Sequence, residues 1–289
     1  MTLSWCLSLL EKMILERLVR TMAKIAFVFP GQGAQVVGMG KDVYDHSAKA
    51  KEVFDRASEA VDLDLKALCF EENDNINITE YTQVCLFTTS VAIMEELKTR
   101  GVKADVAAGL SLGEYCALVA AGSMNFVDAA KAVRKRGIFM QEEVPAGKGT
   151  MAAILGMDAA EIDKNIEEFD KVQVANYNCP GQIVISGETE QVKQAPDKLK
   201  EAGAKRAVLL NVSGPFHSSL LTGAGEKLEA VLKELTIEKP QIPYVANVDA
   251  SYITEQADIM PRLVSQVSHS VRWQQSVEKM VENGVDTFI

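Results

Sequence analysis

Between Asp105 and Gly122 the chain has little freedom in how it can fold. Asp105-Val-Ala-Ala-Gly109 reads as a buried strand. Leu112 to Ala121 reads as an almost wholly apolar helix, stopped by Gly122 in the usual position just past a helix end. Strand and helix are joined by a sharp turn, which makes the organisation α/β. Neighbouring segments agree. Lys24-Ile-Ala-Phe-Val-Phe29 is a short apolar run stopped by Pro30-Gly31-Gln32-Gly33, a strand entering a turn. Val84–Lys98 has helical spacing and ends near Gly101, and Asn125–Gln141 is a further helix.

Pro145-Ala-Gly147-Lys-Gly149 reads as a linker, after which the pattern changes. Thr150–Leu155 is a predicted strand, Ala159–Phe169 a helix, Val172–Asn176 a strand, Gln182–Ser186 a strand after the turn Asn178-Cys-Pro-Gly181, Val192–Ala202 a helix and Arg206–Leu210 a strand. The order β-α-β-β-α-β is that of a ferredoxin-like unit, small enough to be an insertion. The expected organisation is therefore an α/β core over 22–146 and 212–289, interrupted by a ferredoxin-like subdomain over 147–211, with Ile242–Val248 and Val285–Ile289 as further strands. Residues 1–21 carry Leu3, Leu7, Leu10, Ile14 and Leu18 at helical spacing with charges between them. They lack the early positive charge and unbroken apolar run of a secretory signal and read as an N-terminal extension.

Charge and cysteine usage exclude several classes. Thirty Lys and Arg against forty Asp and Glu give a net charge of −10, which disfavours nucleic acid and anionic membrane as partners. No apolar run approaches the roughly 20 residues that span a bilayer. Cys6, Cys69, Cys85, Cys116 and Cys179 form no Cys-x-x-Cys pair and read as reduced, mostly buried thiols of a cytoplasmic protein, with no zinc site.

The chemical signal is Gly109-Leu-Ser111-Leu-Gly113, a Gly-x-Ser-x-Gly run placed between strand and helix. Side chains at the two glycines would crowd the turn that lifts the Ser111 hydroxyl, and the helix start leaves free N–H groups to stabilise an oxyanion. A plain βα turn with a serine N-cap has the same appearance. A serine nucleophile needs a base, and the chain has three histidines. His46 lies in a polar, solvated stretch, and His269 in an alternating Val267-Ser-His-Ser-Val271 that suggests an exposed strand or loop. His217, in Ser213-Gly-Pro-Phe-His217, reads by composition as a loop or capping histidine. Its order after the serine and its place at a strand end lift it above the others.

Phe29-Pro-Gly-Gln-Gly33-Ala-Gln35, Gly109-Leu-Ser111-Leu-Gly-Glu-Tyr115, Arg136-Gly137, Asn176-Tyr-Asn-Cys-Pro-Gly-Gln182 and Gly214-Pro-Phe-His217 occur in that order. Together they resemble the malonyl-CoA:acyl carrier protein transacylases, acyltransferases of fatty-acid and polyketide synthesis, from Met22 to the end of the chain. The resemblance implies a hydrolase-like α/β parallel-sheet core with an inserted ferredoxin-like subdomain. It also implies transfer of malonyl from malonyl-CoA to the phosphopantetheine thiol of acyl carrier protein, in fatty-acid biosynthesis. Ser111 would be the nucleophile and His217 the base. The backbone N–H groups of Gln32 and Leu112 would form the oxyanion hole, Arg136 would bind the malonyl carboxylate, and the carbonyl of Gln266 would orient the histidine. No metal or cofactor is implied beyond the two substrates, and a monomer is expected.

The residues themselves leave some of this open. On the helix 125–141 the apolar face is Phe126, Ala130, Val133, Gly137 and Met140, with Arg136 about 80° to one side and Arg134 about 80° to the other. Periodicity does not choose between them; only the Arg-Gly match selects Arg136. Arg134, Lys131 and Lys135 read as a solvated flank, and those three could offer an acidic carrier protein a basic patch. Pro-Gly-Gln-Gly around Gln32 is also ordinary turn chemistry, and Cys179 reads as a turn residue packed on the insertion. Leu110 replaces the family's histidine before the nucleophile. The family continues past Ile289 with a Gly-Pro-Gly segment and a closing helix, so the core is expected to be truncated at that end and the chain less stable than a longer form. The rival activities are a serine esterase or thioesterase, which usually adds a carboxylate to orient the histidine, or a polyketide-type acyltransferase. Asp158, Asp163, Asp170 and Asp197 lie between Ser111 and His217, but all within the expected insertion.

Overall fold

The computed structural model describes residues 23–145, 147–212 and 214–289. The expected N-terminal extension lies outside the described residues, as do Ala146 of the linker and Ser213. The chain runs β1 (Lys24–Phe29), α1 (Lys41–His46), α2 (Ala48–Val61), α3 (Leu65–Phe70), α4 (Thr79–Thr99), β2 (Val106–Gly109), α5 (Gly113–Ala120) and α6 (Phe126–Glu142). A separate stretch follows, β3 (Gly149–Leu155), α7 (Ala159–Ile166), β4 (Val172–Cys179), β5 (Gln182–Glu188), α8 (Thr189–Glu201) and β6 (Arg206–Leu209). The chain then adds α9 (Thr222–Lys233), β7 (Tyr244–Val245), β8 (Tyr252–Ile253), α10 (Ile259–Gln266), α11 (Trp273–Glu282) and β9 (Val285–Phe288).

Two sheets result. The larger has the order β8-β7-β2-β1-β9, in which β1, β2, β7 and β9 are parallel and β8 is antiparallel. Every residue of β2 is buried, as a parallel strand covered on both faces requires. The smaller sheet, β4-β5-β3-β6, is antiparallel throughout and carries α7 and α8. This is the hydrolase-like α/β core with its ferredoxin-like insertion. The small sheet has its own core, in which Ala152, Ile154, Ile183 and Ile185 pack with Ile162 and Leu199 of the two helices. Alternation along β3 turns Met151 and Ala153 the other way, toward the large domain, with Val184 paired to Ala153 beside them. Val271 ties the two bodies together: its N–H donates to Ala175 O at 2.8 Å, and its carbonyl accepts from Tyr177 N at 3.0 Å.

Several elements differ from the sequence reading. The helix containing Val84 begins at Thr79, because Thr79, Thr82 and Gln83 are buried polar residues that carry no apolar signal. β4 runs through Asn178 and Cys179, which leaves Pro180 and Gly181 as a two-residue hairpin turn with Gly181 at φ 73°. The run at Ile242–Val248 yields a strand of two residues, since Asn247 turns its amide into the site instead of continuing the ladder. The helix expected to reach Phe169 stops at Ile166.

The glycines around Ser111 answer to close approach. A Cβ on Gly109 would meet the backbone carbon of Gly113 at 2.0 Å, and one on Gly113 would meet Phe29 O at 2.5 Å. Backbone cannot yield as a side chain can. Gly109→Ala is therefore expected to destabilise the fold by about 3 kcal/mol, read as a lowered urea midpoint with unchanged slope.

Candidate active site

β2 delivers Ser111 into a left-handed backbone conformation, φ 55°, directly before α5. A non-glycine residue holds that conformation at a cost unless its surroundings fix it. Here Asn247 does so: its Oδ1 accepts from Ser111 N at 2.6 Å and its Nδ2 donates to Gly109 O at 2.7 Å. The Ser111 hydroxyl lies 2.7 Å from His217 Nε2. His217, itself at φ 56°, places its Nδ1 2.8 Å from the carbonyl of Gln266. A carbonyl can only accept, so Nδ1 carries the proton and Nε2 is left free to take one from Ser111. Burial first, then the charge of Arg136, lowers the imidazole from 6.5 to about 4, so it is neutral at pH 7.

Arg136 comes to the same point from α6. Its Nη2 donates to Ser111 Oγ at 3.1 Å and to Gln266 Oε1 at 2.9 Å, and its Nη1 donates to Gln83 Oε1 at 2.6 Å. The residue is 1 % exposed. No carboxylate contacts it and its Nε has no hydrogen-bond partner among the described residues. The reason this arginine is buried lies next to it: a Cβ on Gly137 would meet Glu80 Cα at 2.9 Å, so α6 and α4 touch there. The same contact overturns the solvated reading of Arg134. Its guanidinium reaches the Glu80 carboxylate at 2.7 Å and lies over the Tyr81 ring at 4.7 Å, half-buried. Lys131 and Lys135 are exposed.

Ser111, His217, Arg136 and Gln266 are thus joined by direct hydrogen bonds. Gln32 and Leu112 face the same cavity, of about 700 Å³, which is also lined by Leu110, Phe216, Met151 and Asn176. Gln32 is anchored by Nε2 donating to Thr79 Oγ1 at 3.1 Å. The backbone N–H groups of Gln32 and Leu112 find no partner among the described residues. His46 and His269 stand apart and exposed. The first contacts Asp42 O, and the second lies in a turn after α10 against Ser265. Cys179 is exposed at the end of β4 and not packed on the insertion, with Sγ 3.5 Å from Gln182 Oε1.

Sequence reasoning passed over Gln83, Glu114 and Asn247. Glu114 did leave a signal, as the one charge within a run of apolar helix. Gln83 and Asn247 left none, since a single amide beside apolar residues is unremarkable until its partners are known. Among the described residues no three His, Cys, Asp or Glu side chains cluster as a metal site, and no helix is long and apolar enough to cross a membrane.

Residues 26–289 match the acyl transferase domain family. The chain is 50% identical over 273 residues to the malonyl CoA-acyl carrier protein transacylase of Bacillus subtilis, covering 93% of this chain and 86% of the relative. It is 45% identical over 270 residues to the Escherichia coli protein of the same description, covering 92% and 87%. The solved transacylase of Clostridium perfringens superposes with a TM-score of 0.88 at 46% identity, covering 92% of this chain and 85% of that one. A malonyl-transacylase solved in complex with a type II polyketide synthase acyl carrier protein superposes at 0.89 and 40% identity, covering 92% and 88%.

Proposed function

The chain belongs to the acyl transferase family, and we infer that it moves malonyl from malonyl-CoA to the phosphopantetheine thiol of acyl carrier protein, through an ester on Ser111, in fatty-acid synthesis. The observation that carries the choice of acyl group is Arg136. A buried guanidinium with no carboxylate in contact, 3.1 Å from the Ser111 hydroxyl, calls for an acid on the acyl chain.

In the first half-reaction His217 Nε2 takes the proton from Ser111 Oγ as the oxygen attacks the thioester carbon. The oxyanion is stabilised by the N–H groups of Gln32 and Leu112, both free to donate. The C–S bond breaks and CoA leaves with the proton from His217. In the second half-reaction the carrier thiol gives its proton to His217 and attacks the malonyl ester, and Ser111 recovers its proton. The carbonyl of Gln266 holds His217 in the tautomer that both steps need. Every group in this scheme belongs to the chain or to its two substrates, so no cofactor is invoked, and a cytoplasmic location fits substrates of this kind. The esterase alternative loses its main support, because His217 Nδ1 rests on a carbonyl and not on a carboxylate.

Brief mixing with malonyl-CoA, followed by intact-protein mass spectrometry, is expected to show one malonyl adduct, scarce when acetyl-CoA replaces it and discharged by phosphopantetheinylated carrier protein. No adduct from malonyl-CoA, or release only to water, would overturn the reading.

A further inference from the structure

One wholly buried carboxylate in the site takes no part in the steps above. Glu114, on the first turn of α5, is 0 % exposed. Its Oε2 accepts from Gln266 Nε2 at 2.7 Å and from Asn247 N at 3.1 Å. The opposite end of the Gln266 amide, Oε1, accepts from Arg136 Nη2, and the backbone carbonyl of the same residue holds His217. Gln266 Nε2 also donates to Ser111 O at 2.9 Å. The carboxamide therefore spans an ion pair, N–H toward the carboxylate and C=O toward the guanidinium. Reversing it would set oxygen against oxygen and donor against donor, so the two charges together dictate its orientation.

The malonyl carboxylate answers Arg136, and the charge that forms on His217 still needs a counter-charge from the protein. Deprotonating Ser111 puts a proton on His217, beside Arg136, both of them buried. Two neighbouring buried cations repel strongly. Common serine triads place a carboxylate directly on the histidine, and here that place is taken by a carbonyl.

Building on the transferase reading, we propose that Glu114 is a positioning residue for acyl transfer. Its carboxylate locks the Gln266 amide, and so the His217 and Arg136 geometry, and offsets the positive charge that forms on His217 as Ser111 reacts. It does at one residue's remove what a triad aspartate does by contact.

The groups around Glu114 make its ionisation visible. Arg136 faces it from α6, Tyr115 from its own helix, Tyr244 from β7, and Asp249 from the loop beyond, where it is held by Arg262. His217 lies across Gln266. Burial pushes both phenols up and lowers His217 to about 4, whereas it raises Glu114 to about 7. Burial brings Glu114 close to neutrality, so its charge changes over the range in which the enzyme is assayed.

The test is kcat and KM for malonyl-CoA, with carrier protein as acceptor, from about pH 5.5 to 9. The wild type is expected to lose kcat as pH falls through about 7, as Glu114 takes up a proton. Glu114→Gln keeps the shape and removes the charge. It is expected to lower kcat roughly 30-fold at pH 8, to change KM less than about threefold, and to lack the limb near neutrality. An unchanged kcat, or an equal slowing at every pH with the limb retained, would overturn the proposal. Should that variant fail to fold, Gln266→Met keeps the carbonyl on His217 and removes the amide. Its limb is expected to move to higher pH, since Glu114 loses a donor; a limb that stays in place overturns the proposal equally. A wild type that forms no malonyl-carrier product at any pH would instead overturn the transferase reading.

Discussion

Ser111→Ala is expected to abolish the malonyl adduct and to lower transfer by roughly 10⁴-fold or more, with the fold intact. The substitution removes one oxygen, and that oxygen makes two contacts, to His217 Nε2 and to Arg136 Nη2. Neither holds the turn in place. The left-handed conformation at position 111 is fixed by its backbone N–H on Asn247 and by the glycines on either side, and alanine has the same Cβ as serine. The stability change should therefore stay near 1 kcal/mol, the usual worth of a lost hydrogen bond. A residual rate above that in water is expected, because Gln32 and Leu112 still present their N–H groups. Parallel thermal melts and intact-mass measurements check both halves of the prediction. An adduct that survived on the alanine variant would mean that another nucleophile, with the exposed Cys179 the first to be mapped, accepts the acyl group.

Arg136→Ala should separate the two acyl donors. Loss of a buried, hydrogen-bonded charge partner costs 2–5 kcal/mol as a rule, which converts to roughly 30- to 4000-fold in kcat/KM for malonyl-CoA. Acetyl-CoA has no carboxylate to lose, so its kcat/KM is expected to hold or rise, and the preference between donors to shrink or invert. The same change has a second readout. Burial is the larger cause of the low His217 pKa and Arg136 the next, so the imidazole should titrate above its wild-type value of about 4 while staying below an exposed histidine. Equal losses for malonyl-CoA and acetyl-CoA would show that the arginine supports the site without reading the acyl group.

What the sequence disclosed was short-range. The passage from β2 through Ser111 into α5 could be read because strand, glycines and apolar helix are contiguous, and the ferredoxin-like order could be read because each element has its own period. The site joins residues far apart. Ser111 lies 106 residues from His217, and the Gln266 side chain bonds Ser111 O across 155. Periodicity on α6 set Arg134 and Arg136 symmetrically about its apolar face, and only the approach of α4 at Gly137 distinguishes them. Glu114 went unread because its partners come from the loop after β7 and from α10, which local patterning does not connect to it.

The face of the small sheet that carries Met151, Ala153 and Val184 has a consequence for how such a protein can diversify. These side chains border the cavity, yet none belongs to the elbow, the histidine or the arginine, and the strands that bear them rest on a separate core. The chemistry thus sits on one body, while part of the chamber wall belongs to the other. Mutation could widen or narrow the chamber one side chain at a time on the insertion, leaving untouched the tightly interlocked residues that perform the chemistry. Side chains on that wall can change while the hydrogen-bonded residues of the chemistry stay as they are.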